Sequence, residues 1–231
     1  MSAQNRPSIQ PFREVFTAEM DLAYQVKLLR IRQGWTPGEL SFLIGRPPSY
    51  INERENLVAG KSFTLSDLFQ ITRAVKESTA SLIMSHPRQQ EKICLRVTVQ
   101  AQQSLIIHDF WQKLPEGRSR LVCRLYEYEK QAGDNLKKQE AKQVKALAGW
   151  LGRLISRGYF SEQYHLALDL YLLAGSRLRT TVRPCLLEEA LSLYTAGNQY
   201  PRLVRYRQKQ VGYVYQWMTS HKKLSRSKAK S

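Results

Sequence analysis

Three cysteines and four histidines are all that 231 residues supply of the softer metal-ligating side chains, and neither set is clustered. Cys94, Cys123 and Cys185 lie far apart, form no CxxC pair and leave one over in any disulfide scheme, so reduced structural thiols are expected. His86, His108, His165 and His221 share no spacing with one another or with a cysteine that would preorganise a tetrahedral site, so no metal is expected. A glycine-rich phosphate loop, a nucleophile elbow and a metal triad are all missing. The nearest approaches to a catalytic pair are weak. His108 and Asp109 would point to opposite faces of a strand, Glu127 and Glu129 read as the outer edge of one, and His165 and Asp169 fall at i and i+4 as a surface helix pair. The expectation is a protein that is not an enzyme and needs no cofactor. With neither a long uncharged run nor a basic-then-apolar leader, it is expected to be cytoplasmic, with no membrane partner.

Charge is present in excess, and unevenly. Lysine and arginine number 36 against 19 acids, a formal net charge of +17. Residues 1–84 carry 10 bases and 8 acids, or +2, which leaves 26 and 11, or +15, for residues 85–231. Such a surface attracts polyanions through a salt-sensitive term that carries no sequence information, although charge spread along helices can equally be a solvated face. The length and the 42% apolar content suit two globular domains, each with a core of its own.

Along the chain, residues 1–13 read as a flexible arm with two prolines. From about Glu14 to Gln33 the pattern is helical, with Leu22, Val26 and Leu29 on one stripe, Gly34 as a stop and Trp35 as a core anchor. TPGELSFLIG then opens on Thr36 as N-cap, with Pro37 at the first helical position and Glu39 three residues after the cap, and closes on Gly45. RPPSYINERE reads as a second short helix, because Pro47 and Pro48 forbid continuation of the first and Pro48 presets a new start. Two short helices joined by a tight glycine turn make a helix-turn-helix unit. FTLSDLFQITRAV closes the core, STASLIM adds a last apolar piece, and SHPRQQEK is expected to be the boundary of a domain over 14–85.

Beyond it, ICLRVTVQ alternates and RLVCRLYEYE is rich in aromatic and branched residues, as strands are. Residues 137–157, SEQYHLALDLYLL and RPCLLEEALSLY read as helices, and PRLVRYRQKQVGYVYQW as a basic hairpin. A C-terminal α+β domain over 92–218, winged-helix-like in its helix-then-hairpin order, is therefore expected, followed by a basic disordered tail over 219–231.

The stretch from Leu29 to Val75 resembles the Cro and phage-repressor (XRE-like) family of helix-turn-helix transcriptional regulators. Arg30, Leu40, Gly45, Ile51 and Glu55 stand, in order and at the right spacing, where that family has its arginine, leucine, turn glycine, branched apolar residue and glutamate. The PSYINERENL run followed by KSFTLSDLFQI is also similar to a variant of the family with a strand-and-helix C-terminal region. The resemblance implies a five-helix N-terminal domain in a chain that is mainly α with a smaller α+β part. It also implies a partly buried Arg30–Glu55 ion pair and a recognition helix laid in the major groove of double-stranded DNA by a homodimer. Pro48, Ser49, Asn52 and Glu53 would then face the bases, with Asn52 able to bind adenine bidentately and Glu53 able to accept from cytosine. Thr36, Asn56, Lys61 and Ser62 would contact phosphates, while Tyr50 would reach the backbone or lie half-buried. Three positions depart from the family pattern: Pro37 for a frequent glutamine, Arg54 for an apolar residue and Leu57 for a glycine.

In the second half, Arg202, Arg205, Arg207 and Lys209 interleave with Tyr206, Tyr213, Tyr215 and Trp217. They are candidates for secondary nucleic-acid contacts, set against a sheet whose aromatic face simply packs on helices. The alternative to the regulator is a protein-interaction or RNA-binding module that keeps the helix-turn-helix shape, motivated by the low charge of the first domain and the acids Glu53 and Glu55.

Overall fold

The computed structural model describes residues 8–9, 11–79, 82, 91–129, 134–178, 181–197, 201–209 and 211–218. Its chain forms two compact units, one of residues 1–41 and 47–133, the other of residues 42–46 and 134–231.

In the first unit the chain enters through two short strands, β1 (Ser8–Ile9) and β2 (Arg13–Phe16), and continues directly into α1 (Thr17–Gln33). Glu19 starts α1 by reaching back to the Phe16 backbone N–H (3.2 Å). Gly34 ends it at φ 65°, where the N–H groups of Gly34 and Trp35 meet the carbonyls of Ile31 and Arg30. Three further helices follow: α2 (Pro37–Leu43), α3 (Tyr50–Glu55) and α4 (Leu65–Val75). Then come three long strands, β3 (Lys92–Gln102), β4 (Leu105–Lys113) and β5 (Ser119–Tyr128). The sheet is antiparallel throughout, in the order β3-β4-β5, with β1 and β2 both pairing along the outer edge of β3. Its inner face presents Leu95, Val97, Phe110 and Leu125, which form one core with Met20 of α1.

The expectation of a mainly α chain headed by a five-helix domain is overturned here. The unit begins with strands, has four helices among its described residues, and includes the whole sheet. The reason is packing: the apolar stripe of α1 is covered by the alternating inner residues of β3, β4 and β5, so those strands cannot belong to a separate domain. The chain divides at Gly133 and Asp134 rather than between 85 and 92. The last apolar piece, over 78–84, falls largely outside the described residues, as do residues 85–90, residues 1–7 of the expected arm and the tail 219–231.

The second unit comprises α5 (Asp134–Ser156), β6 (His165–Leu166), α6 (Ala167–Leu178), α7 (Pro184–Thr195), β7 (Arg202–Gln208) and β8 (Gly212–Met218). Helix then hairpin is present, and β6 adds to the hairpin a third strand, in the order β6-β8-β7. Leu147, Leu151, Leu168, Leu187, Leu203 and Val214 form the centre of its core. His165 was expected on a helix surface; it lies instead buried on β6, stacked 4.1 Å from the Tyr159 ring, while Asp169 caps α6 by accepting from the Leu166 N–H. Residues 42–46 belong to this unit through Gly45, whose carbonyl accepts from Tyr213 N–H at 2.7 Å. Gly45 stands at φ 68°, and a Cβ there would meet the Tyr213 carbonyl at 2.9 Å, so both its conformation and its lack of side chain are required.

Candidate nucleic-acid interface

Sequence-local chemistry sets the short helices. Thr36 and Glu39 form a reciprocal capping box at the start of α2 (Glu39 N–H to Thr36 Oγ1, 3.1 Å; Thr36 N–H to Glu39 Oε2, 2.7 Å). Ser41 Oγ accepts from the Ile51 N–H at 3.1 Å and so ties α3 to the preceding helix. Where α3 ends, Leu57 takes φ 54°, the left-handed conformation that glycine usually serves, and its side chain packs against the sheet core. Arg54, in place of an apolar residue, holds the following loop: its Nε donates to the Ser62 carbonyl (2.9 Å), its Nη1 to the Tyr50 carbonyl (3.0 Å), and its guanidinium lies 3.3 Å from the Tyr50 ring centre.

Beneath α3 lies a buried polar network. Arg30 is fully buried and spends all five of its N–H groups: two on Glu55 (2.8 and 2.9 Å), two on Glu127 of β5 (2.7 and 3.0 Å) and one on the Trp35 carbonyl (2.7 Å). Lys27, also buried on α1, donates to Asn56 Oδ1 (2.9 Å) and approaches His108 Nδ1 (3.2 Å), while His108 Nε2 lies 3.0 Å from Glu127. Since an ammonium can only donate, Nδ1 is the acceptor and His108 carries its proton on Nε2, directed at Glu127. Burial lowers the pKa of His108 and brings that of Lys27 down to about 8. Burial would raise Glu127, but hydrogen bonds from His108 and Arg30 overcome it and hold that carboxyl at about 2. Two cations thus face two anions in a largely buried network. Sequence reasoning found Arg30 and Glu55 and missed Lys27, His108 and Glu127. The signal was available: Lys27 falls on the buried stripe of α1 beside Val26, and Glu127 shares a strand face with Leu125.

The network reaches the outer side of α3. With Asn56 Oδ1 held by Lys27, its Nδ2 donates to Asn52 Oδ1 at 2.9 Å, which turns the Asn52 amide nitrogen outward. Asn56, expected at phosphates, is buried, with its amide oxygen and amide nitrogen each hydrogen-bonded within the protein. Tyr50 is also engaged, its hydroxyl donating to Asp67 in the capping box of α4, so of its two expected roles it takes the half-buried one. Pro48, Ser49 and Asn52 are exposed, as are Thr36, Lys61 and Ser62. Glu53 is half-buried, accepting from Ser49 Oγ (3.0 Å) with Lys61 Nζ 3.7 Å away.

In the second unit, Arg205, Arg207 and Lys209 lie exposed along β7 and its turn. Arg205 sits 4.5 Å from the Tyr213 ring centre and 3.8 Å from Glu188. Arg202 is half-buried and donates to the Gly197 carbonyl after α7. Tyr215, which stands opposite Arg205 in the register and so shares its face of the sheet, is buried.

Among the described residues, no three His, Cys, Asp or Glu side chains are grouped to hold a metal ion, and no helix is long and apolar enough to cross a membrane. Compared with protein-family models, curated proteins and solved structures, the chain matches none.

Proposed function

We propose that this protein is a cytoplasmic DNA-binding transcriptional regulator, not an enzyme, that lays the outer side of α3 in the major groove as a homodimer. Members of the Cro and phage-repressor family, which its motif resembles, act in this way. One observation carries the reading: the two sides of α3 differ completely. Ile51 and Glu55 are buried, with Glu55 clamped by Arg30, whereas Pro48, Ser49 and Asn52 face solvent. A six-residue helix held this firmly is a rigid presenter of its outer residues. Asn52 suits adenine, because its outward amide nitrogen can donate to N7 while the second lone pair of Oδ1 accepts from N6. Lys61, Ser62 and the N-terminus of α2 at Thr36 would supply phosphate contacts, and Arg207 and Lys209 a separate basic one.

The test is selection of bound sequences from a random duplex pool with the full chain, followed by titration at several salt concentrations. A preferred site and a steep salt slope are expected, and Asn52→Ala should relax discrimination at one adenine by about 1–3 kcal/mol. Equal affinity for all duplexes, or an unchanged preferred site after Asn52→Ala, Glu53→Ala and Lys61→Ala together, refutes the reading.

One observation favours the second reading, a protein-interaction module. Leu65 and Phe69, one turn apart on α4, are 71% and 55% exposed, an apolar pair of the kind found at protein contacts.

A further inference from the structure

Within the first unit a groove of about 750 Å3 opens between β2, the first turns of α1 and the loop that leaves α3. Small-molecule sites commonly span ~300–1,000 Å3, so the groove is of ligand size. Much of its wall is apolar, formed by Val15, Leu22, Leu57, Val58 and Phe63, all half-buried.

Arg13 lines the same groove. On β2 it stands opposite Leu95, as Val15 stands opposite Ile93, so both side chains lie on the inner face of the sheet. Its Nη1 is completely buried and has no hydrogen-bond partner among the described residues. A buried guanidinium N–H without an acceptor is costly, and a ligand oxygen that meets the guanidinium where Arg13 lines the groove, with the side chain turning to bring Nη1 to it, removes the cost. The other cations nearby are already engaged: Arg54 holds the Ser62 and Tyr50 carbonyls, and Lys61 lies beside Glu53. Glu14 and Glu19 also line the groove, and their charge opposes a dianion.

We propose that this groove binds a small monoanionic carboxylate with an apolar body, its carboxylate on Arg13 and its body against Leu22, Leu57, Val58 and Phe63. Phosphate esters are disfavoured by the two acids, and neutral apolar molecules leave Arg13 unpaired. Because Leu57 and Val58 form both groove wall and the exit of α3, occupancy alters how α3 is held; this consequence alone rests on the DNA reading.

The probe is 2-naphthoate, with 2-naphthamide as its uncharged counterpart, titrated into the full chain by isothermal calorimetry and amide chemical shifts. Naphthoate should bind with a sub-millimolar Kd and move the resonances of Arg13, Leu57 and Val58, while naphthamide binds at least tenfold more weakly. Arg13→Leu should lose the preference for the anion, and Arg13→Lys should keep most of it. No naphthoate binding at several millimolar, equal affinity for the two probes, or shifts confined to other residues overturns the site. The comparison on the unaltered protein stands even if Arg13→Leu does not fold. Should naphthoate bind as expected while duplex affinity stays unchanged at saturation, the site holds and its coupling to α3 is refuted.

Discussion

Replacing Glu127 by alanine tests whether the sheet belongs to the machinery that holds α3. The carboxylate accepts two hydrogen bonds from Arg30 and one from His108, so the substitution strands three donors at once. It also upsets the balance of Lys27 and Arg30 against Glu55 and Glu127, leaving one buried positive charge uncompensated. Breaking a buried pair from one side costs about 3–5 kcal/mol. The Glu127 side chain is 15% exposed, so some water can replace it, and the lower end, about 3 kcal/mol, is the expectation. Two units in one chain make a single melting curve ambiguous, so the assay is native-state hydrogen exchange on the full protein, followed at the slowest amides of α1 and β4. At ~1.4 kcal/mol per tenfold, those amides should exchange about two orders of magnitude faster, while amides of α5 and α7 do not change. Acceleration below about fivefold would mean that Glu55 alone satisfies Arg30 and that the sheet is a passive neighbour.

Acid should weaken the first unit in two stages. His108 is held neutral by burial, so below about 6.5 the unfolded chain binds a proton that the folded one does not, and stability declines as pH falls from there. Glu127 titrates near 2 when folded against 4.5 unfolded, so its contribution is complete above 4.5 and is lost as pH drops towards 2. Exchange rates measured from pH 3 to 8 and corrected for intrinsic chemistry should show both stages, the lower one vanishing in Glu127→Gln; a flat profile contradicts the assignment. Gly45→Ala must adopt a left-handed backbone and push against the Tyr213 carbonyl, with an expected cost of about 2–3 kcal/mol in the second unit. Protection at β8 amides reads this directly, and a loss of less than about 0.5 kcal/mol would show that the turn relaxes. Leu65→Ser with Phe69→Ser should change stability by under about 0.5 kcal/mol, since both side chains are exposed. A larger loss of hydrogen-exchange protection at the slowest amides of the first unit would mean that the pair is covered in solution.

Legibility followed the range of the interactions. Caps were plain, because Thr36 with Glu39 and Gly34 after α1 act within three or four residues. The helix of residues 137–157 and the hairpin were equally plain, since their apolar periods of 3.6 and 2 are written in consecutive residues. Arg30 and Glu55 were picked out by the spacing of a motif, and they meet in the structure at 2.8 Å. What resisted reading was partnership between distant segments. Nothing local announces that β2 pairs with β3 almost eighty residues later, or that Glu127 reaches Arg30 across 97 positions. Glu14 to Phe16 therefore looked like the start of the helix when it is the end of a strand.

The network also explains how residues that resemble a helix-turn-helix motif can sit in a unit of unexpected architecture. The five matching residues specify how two short helices are braced against α1: Arg30 and Glu55 on the inside, Gly45 in the turn, Leu40 and Ile51 buried. They say nothing about what covers the other side of α1. A sheet covers it, with Phe110 and Leu125 packed on Met20, and its polar end supplies His108 and Glu127 to residues that the motif alone would leave half satisfied. Lys27 is the consequence. A lysine on the buried stripe of α1 is tolerable only because Asn56, His108 and the carboxylates of Glu55 and Glu127 surround it, and that enclosure in turn fixes the Asn56 amide and, through it, Asn52. The orientation of the one outward amide on α3 is thus tied to the sheet by a relay that runs from Glu127 through His108, Lys27 and Asn56 to Asn52, so a change to His108 is transmitted to Asn52.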